Sequence, residues 1–98
     1  MSIRPSVALE EHRADIRRIV AAHRGRNPRV FGSALRLTDT TASDIDLLVD
    51  PTLETTLLDI GAMRLALRQR LGVAVDVLTP DALSAAFRNE VLARAQPV

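Results

Sequence analysis

The sequence predicts a single small α/β domain: a small mixed β-sheet flanked by helices. Three observations carry this. Short β-type runs alternate with longer helical stretches along the chain. The length, 98 residues, is that of one domain with one modest core. The composition, 47% apolar and 26% charged, is ordinary for a globular chain. It excludes disordered and collagenous classes, and the absence of cysteine excludes a disulfide scaffold or a thiolate metal site.

The elements follow in order. Residues 7–24 read as one helix, with Leu9, Ile16, Ile19, Val20 and His23 near one stripe. Gly25, Asn27 and Pro28 end it, and residues 29–31 form a short strand closed by Gly32. A helical turn at 34–37 precedes a polar loop over 38–43. Residues 44–49 have the period-two character of a strand, broken by Asp50-Pro51. A long helix over 54–71 offers Leu57, Leu58, Gly61, Leu65 and Leu71 as its apolar face, with Gly72 as its C-terminal cap and Met63 as packing. Residues 73–78 form a third strand. Thr79 caps the last helix and Pro80 takes its first position, with Leu83, Phe87, Val91 and Ala95 as core stripe. The order of the three strands stays open.

The charge pattern narrows the function. Thirteen basic residues, all arginine, face twelve acidic ones, for a net charge of +1. With no basic block and only two aromatic residues, there is no electrostatic track or stacking platform for nucleic acid. No stretch has the length of a signal peptide's apolar core or a membrane span, so a cytoplasmic location with no membrane is expected. His12 and His23 stand about 16 Å apart on an ideal helix, too far to share a metal ion.

The chemistry sits on the strands. Alternation sends Ile45, Leu47 and Val49 to one face and Asp44, Asp46 and Leu48 to the other. The two carboxylates then lie roughly 6–7 Å apart at their Cα atoms. A solvated strand end accounts for the pair, and so does a bound divalent cation that cancels their repulsion. Oxygen ligands without cysteine favour Mg2+ or Mn2+. Asp76 interrupts a run of β-formers, which suits an edge position or a charged partner. If 73–78 lies beside 44–49, Asp76 faces the same site, and three carboxylates on adjacent strands hold two ions about 4 Å apart. Gly32-Ser33 follows a strand and precedes this pair by ten residues. By itself Gly-Ser is an ordinary turn; at this position it offers a phosphate cradle beside a metal site. With lysine absent, Arg36 is the nearest candidate for a phosphate cation.

Phe31-Gly32-Ser33, ten residues, then Asp44-Ile45-Asp46-Leu47-Leu48-Val49 resembles the signature of the DNA polymerase beta-type nucleotidyltransferase superfamily. Val75-Asp76-Val77-Leu78 and the tail from Thr79-Pro80-Asp81-Ala82-Leu83 to Arg88-Asn89-Glu90-Val91-Leu92 resemble its minimal nucleotidyltransferases (MNT), over nearly the whole chain after residue 28. The resemblance implies a nucleotidyltransferase fold in one minimal domain over 1–98. It implies transfer of AMP from ATP to a hydroxyl, with Asp44 and Asp46 holding both metal ions. Asp76 holds the catalytic ion and assists deprotonation, and Gly32 and Ser33 grip the β,γ-phosphates. Many minimal members are antitoxins that adenylylate a tyrosine of a HEPN-domain ribonuclease toxin, so a toxin partner in a hetero-oligomer is implied. Neutralisation of the toxin by contact alone, and transfer to a small molecule or an RNA end, are the alternatives. One departure stands out: where the family commonly has Arg-x-Arg-Gly after Gly-Ser, this chain has Ala34-Leu35-Arg36-Leu37.

Overall fold

The computed structural model describes residues 3–98. A four-stranded mixed sheet, in the order β3-β2-β1-β4, has helices packed on it. Strand β1 (Gly25–Phe31) runs antiparallel to β2 (Ile45–Pro51), which runs parallel to β3 (Val75–Leu78). The fourth strand, β4 (Gln96–Pro97), was not foreseen; two residues pair with Arg29 and Val30 and cover the outer edge of β1.

Strand β1 is longer than the expected 29–31. Asn27-Pro28 ought to stop a strand, because proline lacks the N–H of the ladder. The register shifts between Arg26 and Arg29, and Asn27 takes φ 53° in the resulting bulge. The pairing with β2 therefore resumes on both sides of Pro28.

The first helix is two helices, α1 (Pro5–Glu11) and α2 (Arg13–Ala22), with His12 between them at φ −125°. The His12 Nδ1 lies 2.9 Å from Asp15 Oδ2, and Asp15 also accepts from Arg18 and, across to the next long helix, from Arg70. This local pairing accompanies a kink that no glycine or proline announces. The core stripe of Leu9, Ile16 and Val20 is buried as expected, with Ile19 packed at its margin.

Helix α3 (Gly32–Arg36) begins directly at the end of β1 and stops at Leu37, which adopts the left-handed conformation at φ 59°. Helix α4 (Leu57–Leu71) starts at a full capping box between Thr56 and Asp59 and ends at Gly72, φ 72°. Its buried face corrects the expected one in part: Leu71 and Met63 pack as expected and Leu67 joins them, but Leu57, Leu58 and Leu65 do not. Met63, Leu67 and Leu71 enter the core, while Leu57 is 90% and Leu58 85% exposed, and Leu65 and the preceding Leu53 are exposed as well. Both sets have helical spacing, so periodicity alone does not choose between them. The sheet takes the side carrying Met63.

The last helix is corrected too. Pro80–Ala82 is a single 3-10 turn without a Thr79 side-chain cap, and α5 (Ala85–Arg94) follows Ser84. None of its residues is buried; Phe87 is 62% exposed. The stripe of Leu83, Phe87, Val91 and Ala95 thus lies outside the core, because the sheet's helix side is already filled by α2 and α4.

The core gathers Val30, Ile45, Leu47, Val49, Val75 and Val77 from one face of the sheet against Ile16, Val20, Met63 and Leu67. Leu48 is fully buried yet stands apart from that cluster. It belongs to the opposite face, as alternation along β2 requires. Among the described residues no helix is long and apolar enough to cross a membrane.

Candidate active site

The opposite face of the sheet carries the chemistry. Residues directly across a ladder point the same way. Phe31 is paired with Asp46, and Asp46 with Asp76. Three neighbouring strands thus present Phe31, Asp46 and Asp76 in one row. The condition left open by the sequence, that β3 lie beside β2, is met in the register that sets the two aspartates side by side. Asp44 stands one residue before β2 and is exposed at the mouth of the row.

The turn at the end of β1 is built around Asp46. Gly32 has φ +75°, a conformation that L side chains rarely adopt. Its bare Cα also faces the Asp46 carboxylate: a Cβ there would come within 3.3 Å of Asp46 Cγ and closer still to Oδ2. The dihedral favours glycine, and a larger residue would push the Asp46 carboxylate aside. Ser33 follows in the first turn of α3, half-buried, and its carbonyl accepts from Thr38 N at 3.1 Å, which folds the loop back over the helix.

Electrostatics mark Asp46 as the strained member. Its burial, then the charges of Asp76 and Asp44, push its carboxyl above the ordinary 3.8, and Arg36 alone opposes them. Asp46 therefore senses three charged neighbours, and Arg36, though exposed, lies on the site's side of α3. The carboxylates of Asp44, Asp46 and Asp76 enter no ion pair among the described residues. Partnerless like charges on one face, two of them half-buried, are the donor chemistry of a divalent oxygen-ligated cation. Among the described residues no three acidic or histidine side chains are already gathered closely enough to hold a metal ion. The three aspartates share a face as an open row and not as a closed cage.

Beside the row lies a cleft of about 280 Å3 between α3 and α5, reaching from Phe31 and Gly32 to Phe87 and Val91. Phe31 and Phe87 are missing from the sequence-derived site. The signal was available in the scarcity of aromatics, but Phe87 and Val91, four apart, also fit a core stripe. A larger depression of about 910 Å3 lies at the far end of β1 and β2, around Arg24, Gly25 and Pro51. It contains none of the candidate residues.

No family model matches the chain. It is 31% identical over 90 residues to "Putative protein adenylyltransferase MJ0435" of Methanocaldococcus jannaschii, spanning 92% of this chain and 97% of that protein. A solved structure described as "Structure of putative minimal nucleotidyltransferase" superposes with a TM-score of 0.86 at 36% identity, over 95% of each chain. A second, "Crystal structure of the toxin-antitoxin with AMP-PNP", has a TM-score of 0.73 at 19% identity, over 86% of this chain and 69% of that one. At that identity the second likeness is one of fold.

Proposed function

The chain belongs to the nucleotidyltransferase family, and on that footing we propose that it transfers AMP from ATP to a protein hydroxyl, the tyrosine of a HEPN ribonuclease toxin, and so acts as an antitoxin. The observation that carries the reading is the Asp46 carboxylate, seated between Gly32 and Asp76. Phosphoryl-type transfer depends on positioning and on charge neutralisation by metal ions, and this row offers the carboxylates that would hold them.

Asp44 and Asp46 would hold two divalent ions, and Asp76 one of them. Bound there, Mg2+ or Mn2+ supplies the positive charge that the triphosphate and the accepting oxygen need. The backbone N–H groups at Gly32 and Ser33, with the Arg36 guanidinium, hold the β,γ-phosphates. Asp76 takes up the proton of the accepting hydroxyl. The hydroxyl oxygen then forms a bond to the α-phosphorus, the bond from that phosphorus to the β-phosphate's bridging oxygen breaks, and pyrophosphate leaves. The exposed leucines of α4 support a protein partner, since apolar faces rimmed by polar residues mark interaction sites.

Incubating the protein with α-labelled ATP, Mg2+ and the candidate toxin tests this. The expected result is label on a toxin tyrosine, lost in Asp46→Asn and in Asp76→Asn. An unlabelled toxin, or equal labelling by the variants, overturns it. A second reading, neutralisation by contact alone, is favoured by Ala34 and Leu37, which replace the family's arginine and glycine. It predicts that Asp46→Asn protects against the toxin as well as the original chain does.

A further inference from the structure

Only two aromatic side chains exist in the whole chain, Phe31 and Phe87. They are far apart in the sequence yet line the same cleft, together with Leu35 and Val91. Phe31 reaches it from the strand that also delivers Gly32. Phe87 reaches it from α5, a helix that buries nothing, and remains mostly exposed there. An aromatic ring left open to water on such a helix contributes nothing to the core. Its apolar surface is available to a flat ligand.

We propose that the cleft between α3 and α5 is the seat of a purine base, whose nucleotide extends its phosphates over Gly32 and Ser33; the proposal rests on the reading of this site as a nucleotide site. The volume supports a part of a ligand and not a whole one. About 280 Å3 lies below the roughly 300–1,000 Å3 of sites that enclose entire ligands. Phe31, Leu35, Phe87 and Val91 supply apolar wall, and Arg36, Glu90 and Arg94 line it as well. Gly32, also in the lining, abuts Asp46 of the acidic row. At its rim Glu90 and Arg94 lie 3.7 Å apart and engage each other. With that pair engaged and Arg36 assigned to the phosphates, the walls read the area of a ring and not its hydrogen-bonding edge. Base–aromatic stacking tolerates differences between bases of similar size. ATP and GTP are therefore held alike, and both more tightly than CTP. The sheet order also places the cleft on the side of β1, with Asp76 and its proton-accepting role two strands away.

The test uses Phe87→Trp, which introduces the only tryptophan of the chain at an exposed position. In Mg2+, ATP is expected to change its emission, and inorganic tripolyphosphate, which lacks a base, to bind without doing so. In calorimetry Phe87→Ala is expected to weaken ATP binding about tenfold and leave tripolyphosphate unchanged. ATP that binds without altering the emission, or that loses no affinity in Phe87→Ala, overturns the proposal and leaves the nucleotide reading intact. A response to a tyrosine peptide in place of ATP assigns the cleft to the acceptor and also overturns it. Failure of both ATP and tripolyphosphate to bind the original chain removes the nucleotide reading and this proposal together.

Discussion

The carboxylate of Asp46 rests against the bare Cα of Gly32, so the missing side chain of one residue is the seat of the other. The contact joins the turn after β1 to the middle row of the sheet. Gly32→Ala is expected to destabilise the fold by about 1–3 kcal/mol through its left-handed backbone alone. It is also expected to displace Asp46 and abolish the proposed nucleotide transfer. Urea denaturation and a transfer assay read the two effects separately; an unchanged midpoint would refute the first.

Leu37 occupies a left-handed position at the end of α3, where the family pattern has glycine, and is mostly exposed. An L side chain in that conformation costs about 1–2 kcal/mol, and the flexibility of glycine in the unfolded chain returns part of it. Leu37→Gly should therefore stabilise the protein by about 0.5–1 kcal/mol. Thermal unfolding checks the sign.

Asp46 sets its proposed metal-binding role against stability. Its carboxyl titrates above 3.8 because of burial, Asp76 and Asp44. The native state thus keeps that proton to higher pH than the unfolded chain does. In metal-free buffer stability should fall as pH rises from 3.8 through the elevated value. Asp46→Asn is expected to remove this fall, to be more stable than the original at neutral pH, and to transfer nothing. Denaturation in EDTA across a pH series, beside the transfer assay, decides it.

Asp15 behaves oppositely. Hydrogen bonds from His12, then Arg70, then Arg18 hold its carboxyl well below the ordinary 3.8. Its contribution is complete above 3.8 and disappears as pH falls through the depressed value. Asp15→Asn should flatten the acid limb of the stability profile below that pH, and a pH series of melting curves compares the two.

The rotation of α4 is tested by contrast. Met63→Ala or Leu67→Ala, at fully buried positions, should cost about 2–5 kcal/mol. Leu58→Ala, on the exposed side, should stay within about 0.5 kcal/mol. Equal losses in a denaturation series would mean that the other face is the packed one.

What was legible in the sequence was local. Alternation along β2 settled that Asp46 and Leu48 turn away from Ile45, Leu47 and Val49, because side-chain direction in a strand needs no partner. The αL cap at Gly72 was legible for the same reason. What depended on partners was not. Strand β1 tolerates Pro28 only because β2 lies beside a bulge, and Gln96-Pro97 is a strand only because the edge of β1 is free. Leu57, Leu58 and Leu65 compete with Met63 and Leu67 on equal periodic terms until a sheet is present to choose, and only Leu71 of the expected face is buried. Phe87 and Val91 were read as core because a cleft has no signature of its own. At the candidate site, the sequence supplied every charged group; the pairing of Asp46 with Asp76 and the seat on Gly32 required the register.

The leucines on the outer side of α4 have a consequence for colloidal behaviour. With a net charge of +1, two copies approaching each other meet almost no long-range repulsion. What then meets is Leu57, Leu58 and Leu65, in water on both molecules. Such a chain, concentrated alone, is poised to cluster, and added salt that strengthens apolar association will deepen the tendency and not relieve it. Recovery of the protein in dispersed form is thereby a sensitive readout of whether that face has been covered.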